Sequence, residues 1–148
     1  MGRMIGGVVV GYLAMAAFVF LSFTVAYFGM GADGAFEEGT FEVSTMWIVT
    51  SLILSFIAAL LGGLVCVLIA QNKKAAKILA LVVLVLGIVF AIPAFTQPTS
   101  PAPRTETEEA NSFMAMQSAH QPPWIAIVNP LIGAVGVMMG PCLRRKKD

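Results

Sequence analysis

The sequence predicts an all-α polytopic membrane protein, a four-helix transmembrane bundle forming a single membrane domain over residues 1–148. Two observations carry this. Charged residues make up 11% of the chain and mean hydropathy is +0.87, whereas a soluble domain devotes about a quarter of its residues to charge. Charge is also absent over four long runs: between Arg3 and Asp33, Glu42 and Lys73, Lys77 and Arg104, and His120 and Arg144. Each exceeds the roughly 20 residues that a helix needs to cross a ~30 Å hydrocarbon core. The runs are continuously apolar instead of alternating, which excludes a β-barrel. Spans are expected at about 4–30, 46–70, 75–95 and 123–142, with outer loops at 31–45 and 96–122, a cytoplasmic hinge at 71–77 and a tail at 143–148.

In the first span Gly7 and Gly11 are four apart and Ala14 follows, so small residues line one helical face and a neighbouring backbone can approach closely. Its apolar stretch is about twice as long as the 7 to 15 residues of a secretory signal, so it reads as a span. The hydroxyls of Tyr12, Ser22 and Thr24 are expected to bond helix carbonyls or neighbours. Tyr27 and Phe28 suit the outer interface. The loop that follows gathers Asp33, Glu37, Glu38 and Glu42 without the alternating spacing of a calcium loop, and reads as a solvated acidic segment.

Ser44 or Thr45 is placed to cap the second helix, and Trp47 falls where indole rings collect at the headgroup level. Two rows of small residues run along this helix. Ser51, Ser55, Ala59 and Gly63 make one, and Gly62, Cys66 and Ala70 the other. Helices in lipid associate by close van der Waals contact, so this helix is expected at the centre of the bundle. The third span is mostly bulky and aliphatic, with only Ala80, Gly87 and Ala91 to interrupt it, and is expected to be the most lipid-exposed. Pro93 sits near its outer end.

Residues 97–104 are proline-rich and should be extended. Thr105 and Glu108 then have capping-box spacing, so a surface helix over 105–119 is expected. His120 with Met114 and Met116 offers soft copper ligands, but three such residues are a weak metal signal.

The fourth span holds the candidate site. Asn129, Gly133, Gly136 and Gly140 step by four, three and four and share one helix face. Pro130 cannot donate to the Ala126 carbonyl. Either the helix runs on through a kink and Asn129 bonds across to another helix or to a trapped water, or Asn129 caps a helix that starts at Pro130. A helix from Asn129 to Cys142 would cover only ~21 Å at 1.5 Å per residue, which favours the continuous one. Residues expected to serve helix packing or a polar site are Asn129, Pro130, Gly133, Gly136, Gly140, Ser51, Ser55 and Gly63.

Lysine and arginine distribution gives an orientation. With the N-terminus inside, Arg3, Lys73, Lys74, Lys77 and Arg144 to Lys147 are cytoplasmic, and Arg104 is the one outer basic residue. Both termini are therefore expected in the cytoplasm of a multi-pass cell-membrane protein. The basic tail reads as a topology signal and not as nucleic-acid binding. Cys66 and Cys142 fall on the reducing side as small packing residues.

No Asp, Glu, Lys, Arg or His interrupts the four runs, which removes the usual basis for proton coupling or intramembrane acid–base catalysis. No catalytic, cofactor or metal residue is assigned. The expected function is a non-enzymatic structural, accessory or regulatory membrane subunit, whose partners are the lipid bilayer and another membrane protein or itself. A small oligomeric channel or transporter is the alternative. The segment Gly31 to Phe36, Trp47 at the start of the second span, and Gln121 to Trp124 followed by Asn129, Pro130 and the glycine face together resemble small uncharacterised four-span bacterial membrane proteins. That resemblance implies a bacterial inner membrane and transfers no functional residue.

Overall fold

A computed structural model describes residues 2–37, 42–96 and 121–143. The surface helix expected over 105–119, the proline-rich 97–104, the His120 group and the basic tail lie outside these. Helix α1 spans Gly2–Ala35, α2 Thr45–Ala70, α3 Lys73–Thr96 and α4 Pro123–Met139, continued by a 3-10 turn at Gly140–Leu143. All four are long and apolar enough to cross a membrane. The chain is therefore an all-α four-helix bundle of the multi-pass membrane type.

Helix α2 is the centre, packing against α1, α3 and α4, and α3 packs mainly on α4. Its two small-residue rows serve different neighbours. A Cβ on Gly11 would sit 2.8 Å from the Gly62 carbonyl oxygen and 2.7 Å from the Cys66 Cβ, and one on Gly7 2.7 Å from the Cys66 carbonyl oxygen. The row Gly62, Cys66 and Ala70 is thus the seat of α1. On the other row a Cβ on Gly63 would collide with the Val137 carbonyl, and one on Gly136 would lie 2.7 Å from the Ala59 Cβ, so Ala59 and Gly63 receive α4. Two backbones approach α2 at contact distance because side chains are missing on both sides of each seam.

These seams close the end of the bundle that carries the chain termini. The core there is made of Ala59, Cys66, Val67, Ala70, Ala75, Ala76, Leu79, Ala80, Val83 and Val137, and it contains no buried polar side chain among the described residues. The turn that joins α2 to α3 is tighter than the basic run suggested. Gln71 ends α2 in the left-handed conformation at φ 53°, its N–H donating to the Val67 carbonyl. The Asn72 Oδ1 then accepts from the Lys74 N–H at 2.9 Å, and α3 is already helical at Lys73.

The loop end is built differently. Helix α1 breaks at Gly31, whose φ of 70° glycine accepts readily, and a last turn carries the chain on to Ala35. Phe36 pairs with Val43 in an isolated antiparallel bridge, and the Ser44 N–H donates to the Ala35 carbonyl. Ser44 is the cap: its hydroxyl accepts from the Trp47 N–H at 3.1 Å and donates to the Gly34 carbonyl. Trp47 is consequently not an exposed headgroup anchor. It is 6% exposed and meets Phe23 and Tyr27 edge to face, with ring centroids 5.9 Å and 6.2 Å away. Tyr27 also leaves the interface for this cluster, and Phe28 remains exposed.

The expectation for lipid exposure is corrected as well. Of the residues in the most apolar stretch of α1 11% are buried, against 33% in α3, so α1 is more lipid-exposed than α3. The bulky residues of α3 misled because Leu79, Ala80 and Val83 turn one face wholly into the core. The first helix, in contrast, meets the bundle through narrow glycine contacts near the termini and through the aromatic cluster at the loop end, and few of its side chains are buried.

Candidate functional site

Helix α4 starts at Pro122 and Pro123, where a missing N–H costs nothing because the first-turn donors lack intrahelical acceptors. It then passes through Pro130 without interruption, so Asn129 is an interior residue and not a cap. The proline ring is accommodated by Gly87 of α3, where any Cβ would strike it. Pro130 is buried there, and its inability to bond the Ala126 carbonyl leaves that acceptor without its usual partner.

The glycine face of α4 changes neighbour along its length. At Gly133 it meets α3, with a Cβ there 3.1 Å from the Val83 Cγ1. At Gly136 and Gly140 it meets α2, where a Cβ at Gly140 would be 2.5 Å from the Leu60 carbonyl oxygen. Asn129 begins the same face but lies beyond these contacts. It is exposed, and its amide makes no hydrogen bond among the described residues. The cross-helix bond expected of it is not formed.

What Asn129 borders is a cleft of about 310 Å³ in the loop half of the bundle, to which all four helices contribute. Met15, Val19 and Phe23 of α1 form one wall, and Val83, Gly87, Phe90 and Ala91 of α3 another. Ile125, Ala126, Asn129 and Pro130 supply the α4 side, with Gln121 just before that helix and Ser55 of α2 behind. Ser55 and Asn129 are thus brought together, and Ser51 is left out. The Ser51 hydroxyl donates instead to the Ile48 carbonyl at 2.8 Å. Gly63, Gly136 and Gly140 lie in the seams below and shape the cleft only by holding its floor together.

The cleft lies between the two places where α1 is fastened to α2, the small residues near the termini and the aromatic cluster at the loop. Sequence reasoning did not anticipate Gln121, Phe23 or Phe90 as lining groups. Gln121 precedes two prolines and reads as loop, and an aromatic in an apolar span carries no signal of which neighbour it faces.

No protein-family model matches the chain, and no curated protein or solved structure is similar enough to lend it a function. Among the described residues no cluster of three or more histidine, cysteine, aspartate or glutamate side chains is placed to hold a metal ion.

Proposed function

We propose that this chain is a non-enzymatic integral membrane protein that works as a structural, accessory or regulatory subunit, in a bacterial inner membrane with both termini in the cytoplasm. The observation that supports this best is the closure of the terminus half. There α1, α2 and α4 meet backbone to backbone at Gly7, Gly11, Gly63, Gly136 and Gly140, around a core without polar side chains among the described residues. A seam of that kind makes a rigid scaffold and offers no route for ions through a single copy. The orientation rests on Arg3, Lys73, Lys74, Lys77 and the tail against the acidic first loop.

Purification in mild detergent followed by native mass spectrometry tests the reading. A second membrane protein, or a defined self-oligomer, is expected to accompany the chain. A strictly monomeric species free of partners would overturn it.

The alternative is a small oligomeric channel or transporter, and the cleft with Ser55, Gln121 and Asn129 is the observation in its favour. Solute flux in liposomes that vanishes in Asn129→Ala would select it over the accessory role.

A further inference from the structure

We infer that the four-helix cleft is a binding site for an uncharged amphiphile, a molecule with an apolar chain or ring whose head carries hydroxyl or carbonyl groups. Its walls set this chemistry. Met15, Phe23, Phe90 and Ile125 give an apolar lining, and no ionisable side chain is among the described residues that border the space. A charged head would be drawn out of water with no counter-charge from the described lining, and that desolvation is unfavourable.

The polar groups that are present have unused capacity. Ser22, Thr24, Ser51 and Thr96 satisfy their hydroxyls on carbonyls of their own helices. Ser55 does not, although a helical serine can bond its preceding turn in the same way. The amides of Asn129 and Gln121 are equally without a bond among the described residues, and Ala126, whose carbonyl loses its usual donor at Pro130, lines the same space. Together they present both donors and acceptors, as a hydroxyl or carbonyl head requires. A volume of about 310 Å³ falls at the small end of ligand pockets, which run from roughly 300 to 1,000 Å³. It accommodates a head group and the first part of a chain, and the remaining chain lies along the exposed apolar surface of α1. This inference stands apart from the accessory role, because it holds whether or not a second protein accompanies the chain.

The test is photo-crosslinking in nanodiscs with a monoacylglycerol bearing a diazirine near its head, against the free fatty acid with the same chain and diazirine. The monoacylglycerol is expected to label residues of the cleft, at least about tenfold above the fatty acid. Asn129→Leu and Ser55→Ala each leave the shape of the space nearly intact and should each reduce that labelling about tenfold. Ser51→Ala, whose hydroxyl is already bonded within its helix, should leave it unchanged. Size-exclusion elution identical to the parent shows that the variants are folded, and Ser55→Ala alone decides if Asn129→Leu is not. Equal labelling by the fatty acid, labelling spread evenly over the lipid-facing surface, or full labelling in the folded variants would overturn the assignment.

Discussion

Single atoms decide much of this bundle, because its seams are drawn at backbone contact distance. A methyl group on Gly63 would collide with the Val137 carbonyl oxygen and crowd its Cα at 2.9 Å, and neither is the end of a flexible side chain that can swing aside. Gly63→Ala must therefore part α2 from α4, with a loss of about 1–3 kcal/mol, the usual penalty for overpacking. Gly6 meets nothing within 4 Å, so Gly6→Ala should be neutral or slightly stabilising through helix propensity. Thermal melting of the two variants in one detergent makes the comparison, and equal melting temperatures would contradict the close seam. Tyr27 offers the opposite sign. Its ring is packed against Phe36 and Trp47, and its hydroxyl is buried with no hydrogen-bond partner among the described residues. Tyr27→Phe removes an unsatisfied group and keeps the ring contacts, so stability should hold or rise by about 1 kcal/mol. A clear fall would mean that the hydroxyl has a partner after all.

Among the elements, the turn from α1 into α2 depends most on one side chain. Ser44 fastens both helix ends at once, its hydroxyl accepting from Trp47 and donating to Gly34. Ser44→Ala is expected to cost about 1–2 kcal/mol, the upper part of the range for a lost N-cap, and to loosen the aromatic cluster behind it. Trp47 fluorescence should shift to longer wavelength as the ring loses burial, with Trp47→Phe separating it from Trp124; an unmoved Trp47 signal would show that the cap does not hold the cluster. This cap was legible in the sequence, as were the two small-residue rows of α2 and the continuity of α4 through Pro130. Each is local, following from helical spacing, capping chemistry or chain length. The burial of Trp47 was not legible, because an indole at a helix start satisfies the interface rule equally well whether it faces headgroups or a neighbouring helix. The same limit hid the cleft. Asn129 could be singled out as the lone strongly polar amide of an apolar span, but its neighbours Phe23, Phe90 and Ser55 depend on how far α1 stands from α3 and α4, and that spacing is a product of all the seams together.

At the scale of the whole molecule the two ends are built from different materials, and the difference fits the direction expected from charge. The terminus end is closed by alanine, glycine and Cys66 and flanked by Arg3, Lys73, Lys74 and Lys77; the loop end is closed by aromatic rings and followed by acidic residues such as Glu37 and Glu42. Basic residues beside short loops are retained on the cytoplasmic side, so the glycine-sealed end should face inward and the cleft should open toward the outer half. The two thiols test this without any engineered label. Cys142 is exposed in the 3-10 turn at the terminus end, and Cys66 is fully buried under α1. A membrane-impermeant maleimide should therefore leave intact cells unlabelled and modify one thiol in inside-out vesicles, a signal that disappears in Cys142→Ser. A second equivalent should react only after denaturation, when α1 leaves Cys66. Labelling of Cys142 from outside intact cells would reverse the orientation and place the cleft in the cytoplasmic half. Rapid labelling of Cys66 in the folded protein would instead open the seam between α1 and α2, and with it the rigidity on which the cleft depends.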